Sequence, residues 1–256
     1  MQYMRSLQFI MDRKNWMMNI LMATLCLLSA QIIPIVGQIV LEGWLFNVID
    51  SLHRDPEHKH YPDFDFNQFT EYLSRGIWPM LVYLVAMVVI VPMMIVMYVV
   101  IFVGALALLK SAPVLFVLLI LVMLALILLV SVAISFVTIP ASLYAGLSRG
   151  FDFNGMVAFV KDFNKRMFKE LRITVLVLFA AWLILPTLGL IAFCIGAFVA
   201  EAALMMAQHH LQFQLYELYL QRGGTPIPLP VTSSTSPPPP PPRDETEPDE
   251  RYHPAP

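Results

Sequence analysis

The chain has 256 residues, of which 58% are hydrophobic and only 13% charged, and its mean hydropathy is +0.70. A soluble domain carries about 25% charged residues, so this composition excludes an ordinary soluble enzyme or binding domain. The net charge of −2 excludes little by itself, because the placement of the charges matters more than their sum.

Residues 1–15 precede the first apolar run. Tyr3, Leu7, Ile10 and Met11 fall on one helical face, with Arg5, Gln8 and Asp12 off it, which predicts a short amphipathic helix. Arg13 and Lys14 flank Trp16, an interfacial pairing. A cleaved signal peptide is the competing reading, but its apolar run would be too long and no small-x-small site follows. Residues 16–52 exceed one span and are interrupted by Pro34-Ile35-Val36-Gly37, so helices are expected over 16–33 and 35–52. Residues 53–76 are polar, with Phe66, Phe69, Tyr72 and Leu73 at helical spacing just ahead of Trp78.

From Ile77 to Ile139 only Lys110 is charged. As straight helix this stretch would measure roughly 95 Å, about three hydrocarbon thicknesses. The one polar turn signal is Lys110-Ser111-Ala112-Pro113, where a proline can open a new helix, so two spans are expected, 78–109 and 113–139. The apolar runs are continuous and do not alternate, which excludes a β-barrel. After Pro140 the chain turns polar. From Asn154 to Arg172 an apolar stripe of Met156, Phe159, Val160, Phe163, Met167 and Leu171 opposes Lys161, Lys165, Arg166, Lys169 and Arg172. That pattern is expected to lie on an anionic membrane surface, with the five basic residues contacting lipid headgroups. The alternative is a helix packed on its own protein. Residues 173–220 are again interrupted, at Pro186 and Gly189, which places helices over 171–186 and 190–216. The remainder, 223–256, contains six consecutive prolines and acidic residues and is expected to be a disordered cytoplasmic tail, partly polyproline II.

The fold class expected is therefore an all-α integral membrane protein of about six transmembrane or re-entrant helices in three pairs, with interfacial amphipathic helices. Charge sorting supports the pairs. With six helices, fifteen of the 16 basic residues fall on one side and only Lys110 on the other, which by the positive-inside rule puts both termini in the cytoplasm. There is an internal repeat as well. Phe64-Asp65-Phe66-Asn67 recurs as Phe151-Asp152-Phe153-Asn154, and Arg13-Lys14-x-Trp16 to Pro34-x-x-Gly37 matches Lys165-Arg166-x-Phe168 to Pro186-x-x-Gly189 in spacing. Three modules are expected inside one domain of residues 1–222: 1–52, 63–139 and 150–216.

Ile33-Pro34-Ile35-Val36-Gly37 followed by Gly43-Trp44, then Pro62-Asp63-Phe64-Asp65, Phe151-Asp152-Phe153 and His210-Leu211-x-x-Gln214-x-Tyr216, resemble in their order the prokaryotic membrane family called domain of unknown function 4013. The resemblance covers residues 5–222. Asn47 stands where the family pattern implies a basic residue. The resemblance implies an architecture and no reaction.

Ionisable groups inside spans are rare and mark functional candidates. Gln38 and Glu42 share a face of the second helix, with Gln31 before the break. Glu201, Gln208 and Gln212 share a face of the last helix. These form either a polar path between the two helices or hydrogen bonds that hold the bundle together. His53, His58, His60, Asp55, Glu57, His209 and His210 have no spacing typical of a metal site, and a solvated loop is the expectation. Cys26 and Cys194 sit in apolar runs without the charged surroundings of a reactive thiol. No catalytic constellation, cofactor motif or nucleic-acid motif is present. The sequence thus points to a non-enzymatic membrane-organising or interaction protein, with the bilayer, its anionic inner leaflet and a protein partner or second copy as partners. The alternative is a small-solute or ion transporter using Glu42 and Glu201.

Overall fold

A computed structural model describes residues 1–33, 35–55, 57, 61–191 and 194–229. Seven α-helices and no strand occur among them: α1 (Tyr3–Met11), α2 (Trp16–Ser29), α3 (Val36–Arg54), α4 (Phe69–Leu108), α5 (Pro113–Ser148), α6 (Phe153–Ile191) and α7 (Cys194–Gln221). Consecutive helices pair as α2/α3, α4/α5 and α6/α7, and α1 packs against α7. The expected break at Pro34, His58, His60 and the proline run all lie outside the described residues.

Three boundaries differ from expectation, and each difference has a local cause. α5 does not stop before Pro140 but continues to Ser148. Proline at 140 removes the N–H that would bond the Phe136 carbonyl, and the Asn164 side chain donates to that carbonyl instead, at 2.9 Å. α6 runs unbroken from Phe153 through Pro186 to Ile191, so the amphipathic segment and the following apolar helix are one rod. Gly189 does not break it; a Cβ there would overlap the backbone of Gly196 and Ala197, so this glycine lets α6 and α7 approach closely. α4 begins at Phe69, well ahead of Trp78, after a 3-10 turn over Phe66–Gln68 whose entry is capped by Asp65 accepting from the Asn67 N–H at 2.9 Å.

The core is gathered around α3. Val40, Leu41, Trp44, Leu45, Phe46, Val48, Ile49 and Leu52 are all buried, and a helix apolar on every side is one enclosed on every side. It is covered by α2, the first turns of α4, the last turns of α5, and α7. Gly43 and Gly76 make the α3–α4 crossing possible: a Cβ on Gly43 would overlap the Tyr72 backbone, and one on Gly76 the Ile39 carbonyl. The apolar stripe of α6 joins this core. Met156, Phe159, Phe163, Met167 and Leu171 are buried, with Phe159 and Phe163 packed on Tyr219 of α7. That half of the lipid-surface expectation is corrected, because the stripe faces protein.

α4, α5 and α6 are each long and apolar enough to cross a membrane. In the most apolar stretch of α5 no residue is buried, and in that of α4 almost none is. α2, with 14 residues, is about 21 Å long, short of a hydrocarbon core of roughly 30 Å. The start of the tail also departs from expectation. Thr225 and Ile227 donate backbone N–H groups to the Tyr219 and Tyr216 hydroxyls at 3.0 and 2.9 Å, and Ile227 is buried.

Candidate functional site

Two buried polar clusters flank α3. The first centres on Arg75, whose side chain is only 1% exposed. Its Nη2 lies 3.2 Å from Asp50 Oδ2, its Nη1 donates to Asn47 Oδ1 at 3.1 Å, and its Nε donates to the Gly146 carbonyl at 3.3 Å. One guanidinium thereby joins α3, α4 and α5. Asp50 also accepts from Arg54 Nε at 2.8 Å, and Arg149, which ends α5 with φ 51°, reaches Glu71 at 3.4 Å and Asp50 at 3.9 Å. A basic residue at 47 would face Arg75 directly, so the asparagine there is matched to its neighbour as an acceptor. Sequence reasoning missed Asp50 and Arg75. Both stand at the ends of apolar runs, where charges are ordinary; the Asp50/Arg54 spacing on one helix face was the available signal.

The second cluster holds Glu42. Its Oε2 lies 3.1 Å from His209 Nε2, both groups being buried. His209 Nδ1 is 2.9 Å from the Met205 carbonyl, which can only accept, so Nδ1 carries a hydrogen. The contact with Glu42 therefore holds a single additional proton, on the imidazole or on the carboxyl. Beside it Tyr83 reaches toward Ser142 and Gln212. Neither side-chain atom of buried Gln212 meets full hydrogen-bond geometry with a described group. Tyr83 also lines a cavity of about 180 Å³ between α4, α5, α6 and α7, together with Ser131, Ser135, Thr138, Trp182 and Gln208. Ser135 and Thr138 donate back to helix carbonyls, and Trp182 Nε1–H donates to Gln208 Oε1 at 3.1 Å. Spare acceptor and amide donor capacity thus faces the cavity, which suits water.

Glu201 does not join Glu42. It is half-buried and lines a separate cavity of about 230 Å³ with Gln31 and Gln38, where the α2/α3 tip meets α7. The six polar residues singled out in the sequence therefore divide. Glu42, Gln208 and Gln212 lie near Tyr83, while Gln31, Gln38 and Glu201 lie apart. The histidines separate too: His53 pairs with Glu217 at 2.5 Å, His209 with Glu42, and His210 with the Ser6 hydroxyl at 2.9 Å. No group of three metal-binding side chains occurs among the described residues.

Of the basic residues on α6, Lys161, Lys165 and Lys169 are exposed. Arg166 pairs with Asp162 at 2.8 Å, and Arg172 stands over the Phe168 ring. Asp63 fixes the segment before α4 to the start of α2, accepting from Asn15 and Asn19 at 2.9 Å each, with Arg13 at 3.6 Å. Partial burial pushes its carboxyl up, but these hydrogen bonds and the Arg13 charge outweigh it and hold the group below its ordinary value of 3.8.

A family model described as "Protein of unknown function (DUF4013)" matches residues 26–200. No curated protein and no solved structure matches the chain.

Proposed function

The chain belongs to this family, whose description assigns no activity, and we propose from its own geometry that it is a non-enzymatic multi-pass membrane protein that organises or recruits partners within the bilayer. In this reading it sits in the cell membrane with both termini cytoplasmic. The observation that carries it is the α4/α5 hairpin. Its apolar outer part is bare of other helices: Val88, Val96, Phe102, Leu106, Val114 and Val122 are all exposed. Contiguous apolar surface on this scale marks lipid or protein contact. The same feature weighs against a transport path through one copy. Two helices side by side enclose no pore, and α2 is too short to extend one. The two polar cavities are separate, one between α4, α5, α6 and α7 and the other at the α2/α3 tip, and Glu42 is buried and paired with His209. The Glu42 cluster then serves as interhelical hydrogen bonding.

The test is reconstitution of the full chain into sealed vesicles, with ion and small-solute flux measured beside cross-linking from cysteines placed at Phe102 and Val122. The expected result is no flux above empty vesicles and specific cross-links through the hairpin. Flux that is abolished by Glu42→Gln would overturn the reading in favour of a proton-coupled transporter.

A further inference from the structure

A groove of about 590 Å³ opens between α4, α5 and the first turns of α6, and no described residue fills it. It exists because the helices present small side chains there: Ala86 on α4, and Ala133 and Ala141 on α5. Val157 and Val160 of α6 form the facing wall, and the lining is almost wholly apolar. The one charged residue on it is Lys161, about two turns into α6 from the α5–α6 turn, where Phe151 and Phe153 are exposed. Lys161 makes no ion pair among the described residues, and Lys165 stands one turn further along α6.

An apolar slot open to the side and bearing a single lysine is complementary to one molecule class: a hydrocarbon chain that carries an anionic head. We propose that this groove is a binding site for an anionic phospholipid of the inner leaflet, with an acyl chain between Ala133 and Val157 and the phosphate at Lys161. The site rests on the membrane reading above and gives it a partner class. It also separates Lys161 from the other basic residues of α6. Arg166 is engaged by Asp162 and by the Arg222 carbonyl, so Lys161 is the cation that selects the head and the rest act as a diffuse positive surface.

The experiment uses the full chain purified in detergent and exchanged into nanodiscs of equal phosphatidylglycerol and phosphatidylcholine. Native mass spectrometry then counts the lipid retained on release. The unaltered chain is expected to keep one phosphatidylglycerol. Ala133→Trp and Val157→Trp fill the slot from opposite walls at positions that are not buried, so at least one should fold, and each folded variant should lose retained lipid of either kind. Lys161→Gln should keep the lipid but reduce the preference for phosphatidylglycerol about fivefold, from one basic contact, while Lys14→Gln leaves it unchanged. Retention unaltered in a folded Trp variant, or an unaltered preference in Lys161→Gln, would overturn the site. Failure of the unaltered chain to sediment with membranes would instead overturn the membrane reading.

Discussion

Arg75 and Asp50 show how much can depend on one buried pair. Their side chains are 1% and 7% exposed, and Asp50 is the one carboxylate paired with Arg75 among the described residues, so removing it strands the guanidinium away from water. Breaking such a pair costs about 3–5 kcal/mol, whereas replacing both partners by apolar groups is often neutral. Asp50→Ala is therefore expected to lower thermal stability in detergent sharply, and Asp50→Ala with Arg75→Met to recover much of the loss. A single variant as stable as the parent would contradict the burial. Asp63 gives a pH signature of opposite location. Its folded pKa is lowered, so its contribution to stability is present above 3.8 and disappears as the pH falls through the folded value. Thermal unfolding followed down through that range should show a step that Asp63→Asn abolishes. At this scale the sequence reveals which side chains are unusual for their surroundings, and Glu42 and Gln212 are both buried as polar groups. It does not reveal partners. His209 looked like one member of a loose histidine set, because nothing local states which face of α7 meets α3.

Among elements, existence was legible and ends were not. Continuous apolarity marks a helix, but proline and glycine have two uses within one. Proline can stop a helix or be tolerated where another group takes up the freed carbonyl, as Asn164 does for Phe136. That compensation comes from a residue 28 positions away and leaves no local trace. Glycine likewise can end a helix or let two helices touch. Gly43, Gly76 and Gly104, three of the interhelical glycines, separate these cases by what surrounds them. A methyl group at Gly43 or Gly76 meets backbone, which cannot move without displacing a helix. At Gly104 it meets only the tip of the Leu119 side chain, which can turn aside. Gly43→Ala and Gly76→Ala should each lower the unfolding temperature strongly or prevent accumulation, and Gly104→Ala should be close to neutral. Equal effects at all three, measured by thermal aggregation of the purified chain, would show that the α3–α4 crossing is looser than described. The apolar stripe of α6 is a related lesson: its periodicity identified the buried face, yet periodicity is the same whether lipid or protein covers it.

For the whole molecule, the graded helix lengths give a topology test. Under the proposed orientation Lys110 faces the exterior, and Arg54, Arg149 and Arg222 face the cytoplasm. In that orientation α2, at about 21 Å, would leave its tip within the bilayer, as a re-entrant element does. Cysteines placed in a variant lacking Cys26 and Cys194 should report three classes. Ser111→Cys should react with an impermeant reagent in intact cells. Ser148→Cys should react only after lysis. Ile33→Cys, exposed but at the tip of the short hairpin, should react in neither case until detergent is added. Labelling of Ser148→Cys in intact cells would invert or break the scheme. The pairing of helices was readable in the sequence, because a break in each long apolar stretch leaves two consecutive helices that fold back on each other. How the pairs lean on α3 was not, since no local pattern states it.

The ionic contacts around Asp50 also bear on the order in which this protein can be made. Asp50 leaves the ribosome before Arg75, and Arg149 follows only after the whole of α4 and α5. Until then α3 carries an acid whose only neighbour in the sequence-local sense is Arg54. In the membrane reading proposed above, the first hairpin thus has no finished seat while the second is being inserted, because the guanidinium that pairs with Asp50 arrives from the next helix. Nascent chains arrested after α3 should be extractable by high salt or alkali, and those arrested beyond Arg149 should resist both.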